Sequence, residues 1–219
     1  MAHPALMNPP ARREVGADVY SEKLGMWVFL GSEVMFFTAL IGSYIILRFG
    51  SPEHWAAPGQ ILNIPLTAVN TFLLICSSVT MVKAFAAIQD GDQRLLKLYL
   101  LATVVIGAAF VGVQAYEYTH LVHDGFLPSG YAPGSELAEL AAEGLLPVSV
   151  GVYGSSFYTM TGFHGFHVTM GVICMSFVTW KAYRGAYTKE DHRGVEVIGL
   201  YWHFVDLVWI ILFTIVYLV

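Results

Sequence analysis

Apolar residues gather into five long runs along this chain, at residues 24–49, 64–88, 95–118, 153–182 and 195–219, with polar connections between them. Each run is long enough to cross a hydrocarbon core, which takes roughly 20 residues. No water is present there to satisfy exposed backbone groups, so each run is predicted to be a helix. The pattern predicts an all-α integral membrane protein, a bundle of five transmembrane helices. Pro65 opens the second run, a position where its missing N–H costs little. In the one long connection, 119–152, Ser135 precedes the acids Glu136, Glu139 and Glu143, and Gly144 follows. That order predicts a short helix capped by Ser135 and ended by Gly144, with Leu137 and Leu140 on one face.

Composition supports the membrane reading. The chain has 219 residues, of which 56% are hydrophobic and 12% charged, values foreign to an ordinary soluble domain. Basic residues then orient it. Arg12, Arg13 and Lys23 precede the first run; Lys83, Arg94 and Lys97 flank the second connection; Lys181, Arg184, Lys189 and Arg193 flank the fourth. Arg48 alone falls on the other side. The positive-inside rule makes the crowded face cytoplasmic, which puts the N-terminus in the cytoplasm and the C-terminus on the periplasmic side. Residues 1–22 read as a cytoplasmic N-terminal tail without the apolar core of a signal peptide. Residues 23–219 read as one membrane domain with a long outer loop at about 119–152.

That loop carries Asp124, Glu136, Glu139 and Glu143 and no Lys or Arg. Two readings stand: a solvated loop of ordinary translocated acids, and a docking surface for a cationic partner. Cys76 and Cys174 lie in different runs and read as small buried hydrophobes, not as a disulfide or metal pair. The inverted halves of many secondary transporters are not evident, and neither a phosphate loop nor a nucleic-acid patch appears.

Candidate chemistry lies inside the runs. Glu33, His164, His167, His203 and Asp206 are ionisable residues with no Lys or Arg beside them. A lone charge near a bilayer centre costs a few kcal/mol on insertion scales, so such residues usually face a bundle interior. Glu33 lies nine positions beyond Leu24, roughly 14 Å along the helix, near the midplane. His164 and His167 stand three apart, as do His203 and Asp206, so each pair shares a helical face. Depth allows Glu33 to meet either His167 or His203. Gln114 and Glu117 end the third run, and Glu196 opens the fifth. Together these residues suggest an intramembrane polar network. An E-x-x-H pair on each of two helices would indicate a di-metal bundle, and this chain does not carry that double motif. On its own residues the chain is expected to hold no catalytic group and no metal. Lys181 and Arg184, near a helix end, can snorkel to lipid phosphates.

Several motifs then carry a resemblance. GMWVFLGSEVMFF at 25–37 is similar to the third-helix signature of cytochrome c oxidase subunit III. Asn70-Thr71, QAYEY at 114–118, YGSSFYTMTGFHGFHV at 153–168 and YWHFVDLVW at 201–209 follow in the family's order. The resemblance covers residues 24–219 and is specific, because long motifs recur in sequence. Seven-helix members carry two further N-terminal helices, so this chain resembles the five-helix bacterial form; the long acidic outer segment is a second departure. The resemblance implies an accessory subunit of a proton-pumping haem–copper terminal oxidase in the bacterial inner membrane. It implies subunit I as the main contact, with subunit II and a small subunit IV, and haem and copper held by those partners. The chain itself would bind phospholipid and no metal, and would support proton uptake and the stability of the catalytic subunit. Glu33 matches the family's intramembrane carboxylate, and Lys181 and Arg184 match positions associated with lipid headgroups. A quinol oxidase subunit III, an accessory protein of nitric oxide reductase and, from another class, an independent proton-linked transporter are the alternatives. A cytochrome c-side partner would meet the acidic outer loop.

Overall fold

The computed structural model describes residues 15–219, with side chains placed from Ser21 onward. Six α-helices follow in order: α1 Val15–Gly50, α2 Ile64–Asp90, α3 Gln93–His123, the short α4 Glu136–Ala142, α5 Gly151–Tyr183 and α6 Arg193–Phe213. Helix α6 runs on into a π-helical turn, Thr214–Leu218. Among the described residues, five helices are long and apolar enough to cross a membrane. Helix α1 reaches back to Val15, into the segment read as a tail, and residues 1–14 of that segment lie outside the described residues.

Local chemistry sets the ends. Asn63 caps α2 by accepting the Leu66 N–H at 3.1 Å, with Pro65 in the first turn. Gly91, at φ +86, closes that helix in a left-handed conformation that costs glycine no steric clash. Asp92 then caps α3 through the Arg94 and Leu95 N–H groups at 2.9 and 3.0 Å. The result is a tight antiparallel α2–α3 hairpin. Ser135 caps α4 by accepting from Ala138 N at 3.3 Å, and Gly144 at φ +77 follows its end, as the sequence order predicts.

Helix α6 is the hub. Half of its apolar window is buried inside the bundle, against 11% for α1, which is therefore the peripheral helix. Trp202 of α6 fills the space left by Gly107 on α3 and Gly171 on α5. A Cβ at Gly107 would lie 2.6 Å from its ring and one at Gly171 3.0 Å. Only glycine admits an indole that close, and the buried indole N–H is satisfied by Ser77 Oγ at 3.0 Å. A second pair, Trp209 Nε1 to Thr71 Oγ1 at 2.9 Å, repeats the device further along the same α2–α6 contact.

The connection between α3 and α5 is built structure. Helix α3 continues five residues past the predicted end, because no glycine or proline interrupts it before Gly125. A two-residue antiparallel hairpin follows, β1 Phe126–Leu127 with β2 Gly130–Tyr131. Phe126 is fully buried, and its carbonyl accepts from Tyr158 OH at 2.8 Å. The acids Glu136, Glu139 and Glu143 remain exposed. At this end Trp55 packs between Tyr44 and Tyr153, with ring centroids 4.8 and 5.0 Å away, and Arg48 lies over it at 5.7 Å. Arg48 also donates to Tyr44 OH and to the Val219 carbonyl, tying α1 to the end of the last span. Cys76 and Cys174 are free thiols; Cys174 is exposed on α5, which corrects the reading of both as buried.

Candidate functional site

The intramembrane polar residues fall into separate clusters. On the α1–α5 seam, His167 Nε2 meets Glu33 Oε2 at 3.0 Å, with the two side chains 13% and 17% exposed. Of the two histidines within reach by depth, His167 is the one that Glu33 meets. His167 Nδ1 lies 2.7 Å from the Phe163 carbonyl. A carbonyl only accepts, so Nδ1 carries a proton. One further proton lies between Nε2 and Oε2, as neutral acid and imidazole or as carboxylate and imidazolium. Either way the pair is neutral as a unit, which removes the penalty of an isolated charge in the bilayer. Tyr201 OH donates to the His167 carbonyl at 2.8 Å and fixes α6 against the same turn.

His203 takes a different partner. Its Nδ1 lies 2.6 Å from Ser78 Oγ on α2. Asp206, one turn further along α6, is also near Ser78. Asp206 is buried, and its Oδ1 has no hydrogen-bond partner among the described residues. Toward the acidic end, buried Glu117 accepts from Thr67 Oγ1 at 3.0 Å and from Tyr217 OH at 3.2 Å. Gln114 donates to the Thr161 carbonyl at 3.0 Å and fills the space beside Gly165, where a Cβ would come within 2.8 Å of its oxygen.

His164 stands apart from all of these. It is fully buried, and among the described residues neither ring nitrogen has a hydrogen-bond partner. Its ring stacks on Trp209 at 4.8 Å and meets the edge of Phe110 at 6.2 Å. Glu196 lies at the basic end of α6, bonded to Lys23 at 2.6 Å, and joins none of the midplane clusters. Ser78, Thr67, Tyr217 and Thr161 complete the clusters and were not singled out by sequence. The signal was a polar stripe on α2, where Thr67, Asn70, Thr71, Ser77 and Ser78 recur at helical spacing.

His167 uses both ring nitrogens in hydrogen bonds, and His164 is walled in by the rings of Trp209 and Phe110. Among the described residues no three His, Cys, Asp or Glu side chains group to hold a metal ion.

At the basic end the cations lie against aromatic rings. Lys83 stands over Tyr99 at 5.7 Å, Lys97 over Tyr183 at 5.8 Å, Lys181 over Phe177 at 5.1 Å and Arg184 over Trp180 at 4.8 Å. Such pairing of cations with aromatics suits a membrane–water interface. Lys181 also lines a cavity of about 580 Å³ with Glu22, Tyr187, Asp191 and Arg193. The Arg193 side chain, 3.0 Å from Asp191 Oδ1, holds that carboxyl below its usual range, and burial pushes the Tyr187 hydroxyl up.

Comparison with known proteins agrees with this architecture. The family model described as cytochrome c oxidase subunit III matches residues 17–126 and 137–219. Cytochrome c oxidase subunit 3 of Thermostichus vulcanus is 36% identical over 196 residues, covering 89% of this chain and 86% of that protein. The probable cytochrome c oxidase subunit 3 of Nocardia farcinica is 35% identical over 90% of this chain and 87% of its own length. The probable quinol oxidase subunit 3 of Staphylococcus saprophyticus is 30% identical over 90% and 88%. With nearly its whole length matched and five spanning helices in place, the chain belongs to the cytochrome c oxidase subunit III family.

Proposed function

We propose that this chain is a non-catalytic accessory subunit of a proton-pumping haem–copper terminal oxidase in a bacterial inner membrane. Its basic end faces the cytoplasm, following the distribution of Lys and Arg. Haem and copper reside in partner subunits, subunit I being the main contact, with subunit II and a small subunit IV completing the complex. The observation that carries the reading is the Glu33–His167 pair. It is a neutral, one-proton unit at membrane depth, open on one side, built from an acid and a base on two different helices. Such a unit supports proton handling and durability in a neighbouring chain. The girdle of Lys181, Arg184 and their aromatic rings supports phospholipid binding.

Cytochrome c is the favoured electron donor, because identity is higher to the cytochrome c oxidase relatives than to the quinol oxidase relatives. The quinol reading keeps the support of the latter. A copper A motif in the accompanying subunit II would decide for cytochrome c. Purification of the chain from its native membrane tests the accessory role. Co-migration with a haem- and copper-containing subunit is the expected outcome, whereas proton-linked transport by the chain alone in liposomes would sink it.

A further inference from the structure

Beside the Glu33–His167 pair lies an apolar cavity of about 460 Å³ between α1, α5 and α6, lined among others by Phe29, Glu33, Phe166, His167, Met170 and Tyr201. Its size is that of a small-molecule site. The Phe29 and Tyr201 rings stack at 6.2 Å and 30° to give it an aromatic wall. Almost every polar group around it is already committed. His167 uses Nε2 on Glu33 and Nδ1 on the Phe163 carbonyl, and Tyr201 OH donates to the His167 carbonyl. What remains is Glu33 Oε1, which has no hydrogen-bond partner among the described residues. Whichever group of the pair holds the shared proton, it sits on the Oε2 side, so Oε1 is an acceptor in both states.

Depth narrows the ligand. On α5, His167 lies 14 residues before Lys181, roughly 21 Å at 1.5 Å per residue. A phospholipid whose phosphate met Lys181 would bring only acyl chain to Glu33, and an acyl chain has no proton to donate. The site calls for an uncharged, planar, membrane-soluble molecule with a hydroxyl donor that can reach the middle of the bilayer. We propose that this cavity binds the ring of a lipid-soluble hydroquinone, with one ring hydroxyl donating to Glu33 Oε1 and the ring against Phe29 and Tyr201. The matching quinone has only carbonyl oxygens, so it loses that bond and sets two acceptors against each other. The site therefore selects the reduced form. The proposal assigns it binding and no electron transfer.

The test is anaerobic photolabelling of the intact oxidase complex in nanodiscs. The probes are a short-tailed benzoquinol with a diazirine on its tail and the matching benzoquinone. Label is expected within 26–33 and 166–174 of this chain, stronger for the quinol by about fivefold, the worth of one hydrogen bond. Glu33→Ala combined with His167→Phe removes Oε1 and also the Nε2 acceptor that the single change would leave facing the cavity, and should make the two probes equal. Glu33→Gln keeps a donor toward His167 and an outward oxygen, so it should keep the preference for quinol. Met170→Trp fills the cavity without touching the pair and should abolish both labels. Equal labelling of the wild type by both redox forms, or no label in these segments, overturns the proposal. So does label displaced by excess phosphatidylethanolamine and not by excess unlabelled quinol, which would mark an acyl-chain groove.

Discussion

His167 and Glu33 share one proton across the 3.0 Å contact between Nε2 and Oε2, because the other ring nitrogen of His167 is held by the Phe163 carbonyl. Geometry, not charge, is then what the pair requires. Glu33→Gln replaces the shared proton by an amide N–H and should leave stability within about 1 kcal/mol. Glu33→Leu orphans Nε2 at a largely buried site and should cost about 1–3 kcal/mol. Thermal unfolding of the purified complex in detergent measures both. Because Gln cannot pass the proton on, Glu33→Gln is also expected to shorten the working life of the oxidase during turnover while the subunit stays associated. Dissociation of that variant would instead make the pair a structural clamp.

Trp202 is wedged between Gly107 and Gly171, and its ring occupies the space a Cβ would need at either position. A Cβ at Gly107 would approach backbone-anchored ring atoms that a buried indole cannot move far. Gly107→Ala should therefore destabilise by about 1–3 kcal/mol through overpacking. Trp202→Phe should partly restore the double variant, since the smaller ring vacates the contested space. A thermal shift series on the two single variants and the double reads this coupling directly, and simple additivity would contradict the wedge.

The five spans were legible because apolar runs of that length have few other fates, and the α4 cap was legible because Ser135 and Gly144 act locally. The choice between His167 and His203 for Glu33 was not. Both histidines stand at a similar depth, and what separates them is the rotation of α5 and α6 about their axes. That rotation is set by distant contacts, Trp202 against two glycines and Trp209 against Thr71, which no local pattern specifies. Ser78 was hidden for the same reason: one hydroxyl on a polar stripe has no distinguishing neighbour in sequence. The last turn of α3 escaped because Thr119, His120 and His123 break the apolar run, though the chain stays helical to His123.

Glu117 is a buried carboxyl with two hydroxyl donors on different elements, Thr67 on α2 and Tyr217 in the final turn. Removing one donor leaves the other in place. Thr67→Val and Tyr217→Phe should each cost about 0.5–1.5 kcal/mol, and the double variant more than their sum, because it leaves the carboxyl without a donor. A double-mutant cycle by chemical unfolding in detergent gives the coupling. Adding Glu117→Leu to the double variant should recover part of the loss; further loss would show that the hydroxyls act independently of the acid.

At the basic end, Lys181 and Arg184 extend along Phe177 and Trp180 with their charges exposed, so the heads are free to meet phosphate. Each is worth about 1 kcal/mol toward an anionic surface. Joint substitution to Gln should lower the phosphorus that co-purifies with the complex and leave the helices intact by circular dichroism. An unchanged phosphorus content would remove these two residues from lipid binding.

The connection between α5 and α6 depends on pH through Asp191. Its carboxyl accepts from Arg193 Nε at 3.0 Å, while its backbone closes a turn with Thr188 in both directions, at 3.0 and 3.1 Å. Arg193 holds the folded pKa below the ordinary value, so protons bind the unfolded loop more readily than the folded one. The stabilisation is thus fully present above about pH 4, the usual range of an aspartate, and is lost as pH falls through the depressed folded value. Solvent screening keeps it small at so exposed a site. Hydrogen exchange of residues 184–192 should accordingly stay flat from neutral pH to about 5 once corrected for intrinsic rates, and protection should drop below about 4. Asp191→Asn keeps the turn geometry but has no proton to gain, so its protection should not change across the same acid range. A variant that loses protection in parallel with the wild type would place the acid sensitivity elsewhere in the loop.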